Sequence, residues 1–275
     1  MTRQEQQDYL INGSKDTGLS PLDRGFAYGD GVFRTLIVDG STPRHWHLHY
    51  AKLLNDCSAM AIDCPPDAIL LEDIRTLFAD NTGQAVAKIV ITRGIGNRGY
   101  AIPAVPHPNR IVIRAPFPVL PPEHFEQGIC LHVCKLRLGF QPRLAGIKHL
   151  NRLENVLARA EWTDNRFADG LLLDTEGNAI ECTMSNLFVR FGDTLLTPDL
   201  SRCGVAGVTR QRILDLAAGM GYRTDIAEIP FRRLMDADEI LVCNSLFGVL
   251  QVRKIEQRQW PQQATAARLR SLLLE

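Results

Sequence analysis

The chain has little of what marks the specialised classes of protein. It has no excess of either charge: Lys+Arg and Asp+Glu both number 31 in 275 residues, a formal net charge of zero. No basic surface is therefore expected to draw it to nucleic acid or to an anionic membrane. It has no Cys-x-x-Cys pair, and its seven cysteines, at 57, 64, 130, 134, 182, 203 and 243, are scattered and odd in number. Reduced core thiols and a cytoplasmic location are expected, not a disulfide framework. No apolar run reaches the ~20 residues of a membrane span. The polar start, Met1 to Asp8, lacks the apolar core of a secretory signal. Repeats, low-complexity blocks and long polar tails are also missing. What remains is ordinary globular material, 45% hydrophobic and 23% charged. That is enough for a sizeable core in two modest domains or one large one.

In the first half, Tyr9-Leu10-Ile11-Asn12-Gly13 reads as a short strand and turn. A run with three glycines among aromatics, Asp23 to Thr35, leads into strand-like Leu36-Ile37-Val38 and the turn Asp39-Gly40. The glycines suit either a tight turn in a sheet or the wall of a ligand pocket. His45, His47 and His49 alternate, but a helix expected over Leu48 to Ala61 would scatter them around its axis, which argues against a metal site. A second helix is expected over Ala68 to Asn81, with strands over Ala85 to Thr92 and Arg110 to Arg114. Between those strands lies Arg93-Gly94-Ile95-Gly96-Asn97-Arg98-Gly99-Tyr100. As a phosphate loop it fits poorly, because Pro103, Pro106 and Pro108 follow where a helix would be needed. Its arginines could hold carboxylates, or the loop could be a solvated hairpin tip. Four prolines between Pro116 and Pro122 mark a linker, giving domains over 1–116 and 123–275.

The second half opens with a strand over Ile129 to Leu138. Strands Gly170 to Asp174 and Asn178 to Glu181 follow, then Ser185 to Phe191. Gly204-Val205-Ala206-Gly207-Val208-Thr209 precedes an amphipathic helix over Ile213 to Ala218, and the exposed N–H groups of such a terminus suit a phosphate. Glu239 to Ser245 reads as a buried strand ending in the polar pair Asn244-Ser245. Lys148 stands before Leu150, Leu153, Val156, Leu157 and Ala160, a stripe at helix period that would turn the lysine inward. A partly buried lysine loses hydration, and its neutral amine can form a Schiff base with an aldehyde. The local pattern equally permits a surface lysine capping a helix.

One chemistry would use these parts together. Pyridoxal 5′-phosphate needs a lysine, here Lys148, and an anion near its ring nitrogen, for which Glu181 is a candidate although its strand pattern alone suits a surface carboxylate. It also needs a phosphate cup, which Val208, Thr209, Asn244 and Ser245 could form. Here the chain resembles the fold-type IV pyridoxal-phosphate enzymes, among them branched-chain and D-amino acid aminotransferases and the aminodeoxychorismate lyases. Ile147-Lys148 is similar to their cofactor-lysine motif and Glu181-Cys182-Thr183-Met184-Ser185-Asn186-Leu187-Phe188 to their glutamate motif. Gly207-Val208-Thr209-Arg210 and Asn244-Ser245 resemble their phosphate turns, and Asp23-Arg24-Gly25 with Gly29-Asp30-Gly31-Val32-Phe33 their N-terminal signature.

The resemblance implies a mixed α/β (α+β) fold, with a small N-terminal α/β domain and a larger cofactor-binding domain built on a barrel-like sheet. It implies Lys148 as the catalytic residue, with Glu181, Val208, Thr209, Asn244 and Ser245 on the cofactor, and Phe33, Arg98 and Tyr100 on the substrate. It also implies a homodimer. One position departs: the family's phosphate arginine, in His-x-x-Arg-Leu, is Lys52 in His49-Tyr50-Ala51-Lys52-Leu53. Lysine keeps the charge but loses the fork. Within the family, Leu144 to Asn155 and the Arg93–Tyr100 loop look most like the lyases, as does Leu250-Gln251-Val252 where the aminotransferases carry Thr-Pro-Val. The expected reaction is conversion of 4-amino-4-deoxychorismate to 4-aminobenzoate and pyruvate. A branched-chain or D-amino acid aminotransferase is the alternative.

Overall fold

The structure, a computed structural model, describes residues 8–274, so Met1 to Gln7 of the polar N-terminal stretch lie outside it. The chain divides into two compact units.

The first unit runs to Pro118 and takes in Lys148–Asn151 as well. Its strands are β1 (Tyr9–Ile11), β2 (Gly31–Asp39), β3 (Thr42–Pro43), β4 (Gln84–Thr92) and β5 (Asn109–Pro116). They form an antiparallel sheet in the order β1-β5-β4-β2-β3. Its helices are α1 (Arg24–Tyr28), α2 (Trp46–Ala59) and α3 (Asp67–Leu77). The patterns explain these elements. On β2 every second residue, Val32, Arg34, Leu36 and Val38, is buried, as strand alternation requires. On α2 the buried positions His49, Leu53 and Cys57 recur every four residues, with Asp56 on the same face. On α3 the stripe is Leu70, Ile74 and Leu77, with Asp67 in the first turn and Arg75 in the last, both suited to the helix dipole.

The second unit comprises Val119–Ile147 and the chain from Arg152 onward. Its elements are α4 (Pro122–Glu126), β6 (Ile129–Leu138), α5 (Leu153–Arg159), β7 (Phe167–Asp174), β8 (Ala179–Cys182), β9 (Asn186–Phe191), β10 (Thr194–Pro198), α6 (Val208–Ala217), β11 (Arg223–Ala227), α7 (Phe231–Met235), β12 (Glu239–Asn244), β13 (Gly248–Ile255), β14 (Arg258–Gln259) and α8 (Thr265–Leu274). The sheet runs β11-β10-β9-β12-β13-β6-β7-β8, and β8 pairs back onto β9. Six strands therefore close into a barrel, with β10 and β11 as an extension, which bears out the expected mixed α/β fold with a barrel-like sheet. Strand β12 shows why the apolar run was continuous. Ile240 and Val242 join the core with Leu171, Leu187 and Val252. Leu241 and Cys243 face the other way, into a cluster with Ile213 of α6 and Leu269 of α8.

One expectation fails. The stripe after Lys148 does not face a core. Leu153, Val156 and Leu157 are 73%, 59% and 60% exposed, and α5 buries Ala158 instead. Periodicity reports that a helix has an apolar face, not that the chain supplies something to cover it.

Candidate active site

Lys148 is half-buried for a reason unrelated to that stripe. Its segment pairs with the start of β2: Phe33 N–H donates to the Lys148 carbonyl at 3.0 Å and Leu150 N–H to the Gly31 carbonyl at 2.9 Å. Close approach explains the glycines. A Cβ on Gly29, whose φ is +68°, would fall 2.3 Å from Asn151 Oδ1, and one on Gly31 would fall 2.4 Å from the Ile91 carbonyl oxygen. The Lys148 ammonium lies 4.6 Å from the centre of the Phe33 ring, whose negative face attracts it.

Beneath the segment, the Lys148 backbone N–H donates to Oδ2 of Asp56 at 3.2 Å. Asp56 is fully buried. It also takes Lys52 Nζ, one helical turn away, and a terminal nitrogen of buried Arg34. Burial, then the nearby cations Arg34 and Lys148, push Lys52 down to about 7 against the pull of Asp56. The structure thus brings two of the expected residues, Phe33 and Lys52, to Lys148.

Arg98 and Tyr100 ride on the loop after β4. Both are exposed, and the Tyr100 ring packs 5.3 Å from that of Tyr28. The loop is held from below by Arg24. Its guanidinium donates to the carbonyls of Gly99 at 3.1 Å, Tyr100 at 3.2 Å and Ala101 at 3.2 Å, while its Nε bonds Asp30 at 2.8 Å. Arg93 grips Asp30 as well, donating to the same Oδ2 at 2.8 Å and to Oδ1 at 2.9 Å. Burial would raise the Asp30 carboxyl, but the two guanidiniums outweigh it and hold it below the usual range.

The second unit carries the remaining candidates. Glu181, buried on β8, accepts the Val205 N–H at 2.8 Å. Arg152 faces it: burial lowers the arginine's pKa, and Glu181 and Glu154 oppose that shift. The turn after Glu181 is tied to Asp169, whose carboxylate takes the Thr183 hydroxyl at 2.6 Å and the Ser185 hydroxyl at 2.7 Å. Burial pushes the Asp169 carboxyl up. Helix α6 begins at Val208 with no side chain capping it. Gly207 must be small there, because its Cβ would lie 2.2 Å from Asn186 Oδ1. Thr209 Oγ1 lies 3.4 Å from Ser245 Oγ, so these two meet at one spot. The Asn244 side chain is engaged within its own turn, accepting from Leu246 and Phe247 N–H at 2.9 and 3.0 Å.

Sequence reasoning missed Asp56, Arg34, Asp169 and Arg152. The signal for the first two was present: each places a charge on an otherwise core-facing position of its element. Burying such charges is tolerated only when they pair. Nothing local marked Asp169 or Arg152.

A family model for amino-transferase class IV matches residues 31–255. The chain belongs to that family. The matched span holds Lys148, Glu181 and both candidate phosphate turns. Among curated relatives, the aminodeoxychorismate lyase of Vibrio harveyi is 37% identical over 90% of this chain and 91% of its own. A putative branched-chain-amino-acid aminotransferase of Methanocaldococcus jannaschii is 28% identical over 89% and 85%. Among solved structures, 4-amino-4-deoxychorismate lyase from Pseudomonas aeruginosa is similar to this class IV chain with a TM-score of 0.92 and 44% identity, covering 96% of this chain and 97% of that one.

Proposed function

We propose that this chain is a pyridoxal-phosphate-dependent lyase that converts 4-amino-4-deoxychorismate to 4-aminobenzoate and pyruvate, on the route to folate. The observation that carries this reading is that the two lyases match nearly the whole chain at 37% and 44% identity, against 28% for the aminotransferase. The cofactor is pyridoxal 5′-phosphate; when bound, it supplies an aldehyde that captures amines and a ring that withdraws electrons from the carbon bearing the amine.

The residues present suit that group. An uncapped helix start at Val208 offers N–H groups to a phosphate, as do the hydroxyls of Thr209 and Ser245. A buried carboxylate, Glu181, held by the Val205 N–H, suits a protonated ring nitrogen. Lys52 adds a cation for the phosphate.

In this reading Lys148 is the residue that would hold the cofactor through its aldehyde, and its Nζ is the group placed to act as base. That base removes the proton from the amine-bearing carbon. Loss of that proton lets the neighbouring carbon expel the enolpyruvyl ether oxygen, and the departing group gains a proton to become pyruvate. Aromatisation of the six-membered ring drives the step, which favours elimination over amino transfer. Phe33 lines the lysine's surroundings, Asn244 shapes the turn that presents Ser245, and Arg98 and Tyr100 recognise the substrate's two carboxylates. The clamp by Arg24 supports the last role, because it holds that loop in a defined shape.

Two further parts of the reading are a homodimer and a cytoplasmic location. The exposed apolar face of α5 and the exposed Tyr100, Ile102 and Val105 support the first. Seven unpaired cysteines support the second.

The test is an assay for 4-aminobenzoate and pyruvate with purified protein. Release of pyruvate without a keto-acid acceptor supports the lyase. Turnover that needs such an acceptor indicates an aminotransferase instead. Lys148→Ala should lower turnover by several powers of ten, and unchanged activity in that variant would refute the role given to the lysine.

A further inference from the structure

One pair of cysteines in the first unit is brought together by the way the chain turns back on α2. The helix ends at Ala59, and Ala61, with φ +51°, reverses the chain. Arg93 braces the turn, donating to the carbonyls of Met60 at 2.8 Å and Ala61 at 2.7 Å. Two hydrogen bonds then lay the returning segment along the helix it has just left. Ile62 N–H donates to the Cys57 carbonyl at 2.9 Å. The Tyr50 hydroxyl, about two turns earlier on α2, donates to the Pro65 carbonyl at 3.1 Å. Cys64 lies between those fixed points, and its side chain is hydrogen-bonded to that of Cys57.

The two thiols are not equivalent. Cys57 is fully buried, whereas Cys64, alone among the seven cysteines, is not buried. The hydrogen bond from Cys57 holds the Cys64 thiol below its ordinary value against the opposing effect of burial, and that same bond, with burial, raises Cys57. Burial pushes Cys134, Cys203 and Cys243 up to about 12 instead. Thiolate is the nucleophilic form of cysteine, so the sulfur nearest solvent is also the one more readily ionised.

We propose that Cys64 and Cys57 form a peroxide-sensitive modification site, in which Cys64 is oxidised first and Cys57 resolves it as a reversible disulfide. The Cys64 sulfur attacks one oxygen of hydrogen peroxide. An S–O bond forms as the O–O bond breaks, and the other oxygen leaves as hydroxide, taking the proton that Cys64 released. Cys57 then no longer faces a thiolate that holds its proton in place. Its sulfur attacks that of Cys64, the S–S bond forms, and the S–O bond breaks. The departing oxygen takes the Cys57 proton and leaves as a second water. Each sulfur gives up one electron and the peroxide accepts both. The disulfide stops Cys64 short of sulfinic and sulfonic acid, and a dithiol restores both thiols. The site stands independently of the reaction proposed above.

The experiment treats the full-length protein with hydrogen peroxide, blocks the remaining thiols by alkylation after unfolding, and maps the cysteines by mass spectrometry. In the wild type the segment holding both residues should lose two hydrogens and resist alkylation until a dithiol is added. It should do so about tenfold faster than any other cysteine is modified. In Cys57→Ala, Cys64 should accumulate as a sulfenic acid that dimedone captures, and then pass on to sulfinic acid. In Cys64→Ala, Cys57 should stay reduced. Cys64 reacting no faster than the buried cysteines, a disulfide to a different cysteine, or equal oxidation of Cys57 without Cys64 would each overturn the proposal. Should the variants not fold, the wild type alone decides: a Cys57–Cys64 disulfide supports the site, and sulfinic acid at Cys64 beside an alkylatable Cys57 refutes it.

Discussion

The backbone N–H of Lys148 is bonded to Oδ2 of Asp56, a residue 92 positions earlier in the chain, at 3.2 Å. The amine proposed to carry the cofactor is thus suspended from a buried carboxylate on α2, and that carboxylate is neutralised by Arg34 and Lys52. Several consequences of this arrangement can be measured.

Removing Asp56 strands two cations in a buried site. Breaking a buried ion pair from one side costs about 3–5 kcal/mol. Asp56→Ala should therefore lose stability of that order in urea unfolding. Arg34→Met with Asp56→Leu should recover part of it, because the guanidinium then leaves with its carboxylate while Lys52 remains. A loss below ~1 kcal/mol in the single variant would show that the cluster is solvated, since exposed pairs contribute no more than that.

Lys52 gives a pH dependence with a definite sign. Its native pKa, about 7, lies below the ordinary 10.5. Between those values the unfolded chain binds more protons than the folded one, so Lys52 makes the apo-protein more stable as pH rises from about 7 to 10.5. Cofactor binding runs the opposite way, because the phosphate needs the ammonium. Above pH ~7, binding must take up a proton, and affinity should fall by up to about tenfold per pH unit. Lys52→Arg should flatten that fall, since guanidinium keeps its proton. Titrations of the apo-protein at pH 6.5, 7.5 and 8.5 decide it; parallel curves for wild type and variant would contradict this role for Lys52.

Arg24 donates to three successive loop carbonyls, those of Gly99, Tyr100 and Ala101. Arg24→Lys cannot reach all three. At about 1 kcal/mol for each bond lost, the loop should loosen by about 2 kcal/mol. The expected outcome is a KM raised tenfold or more with a smaller change in kcat, and faster proteolysis near Tyr100. A fall in kcat at constant KM would place Arg24 outside substrate recognition.

Asp169 is buried and its carboxyl is pushed above the ordinary 3.8 by burial, which the hydrogen bonds from Thr183 and Ser185 only partly offset. The folded state then holds a proton the unfolded chain has given up, so this group lowers stability as pH rises above 3.8. Asp169→Asn keeps an acceptor for the hydroxyls and removes the titration. Between pH 4 and 8 the wild type should lose stability relative to the variant in guanidinium unfolding. Wild type gaining on the variant over that range would reverse the assignment.

Much of this protein could be read from residue order alone. Strands β4 and β12 and helix α2 carry their periods and end signals within about a dozen residues, so local chemistry was enough to locate them, whereas α6 begins at Val208, five residues before the expected Ile213. Lys148, Glu181 and the turns proposed for phosphate stood out because each lies in a short motif with its own composition. Asp56 and Arg34 were half legible: a charge breaks the apolar pattern of each element, but only a partner 22 residues distant explains either one.

The stripe after Lys148 was misread because a helical period has no sign. It distinguishes an apolar face from a polar one, and cannot say whether the chain covers it. Linear order was therefore sufficient for the elements, for the closed α/β character of the larger unit and for the chemistry-bearing residue types. Three-dimensional packing alone settled that Lys148–Asn151 pairs with β2, that Asp56 holds the lysine's backbone, and that Arg24 clamps the Tyr100 loop. Those are contacts between residues dozens of positions apart, and the free energy that selects them comes from burial and charge pairing after the chain has closed, which no local window contains.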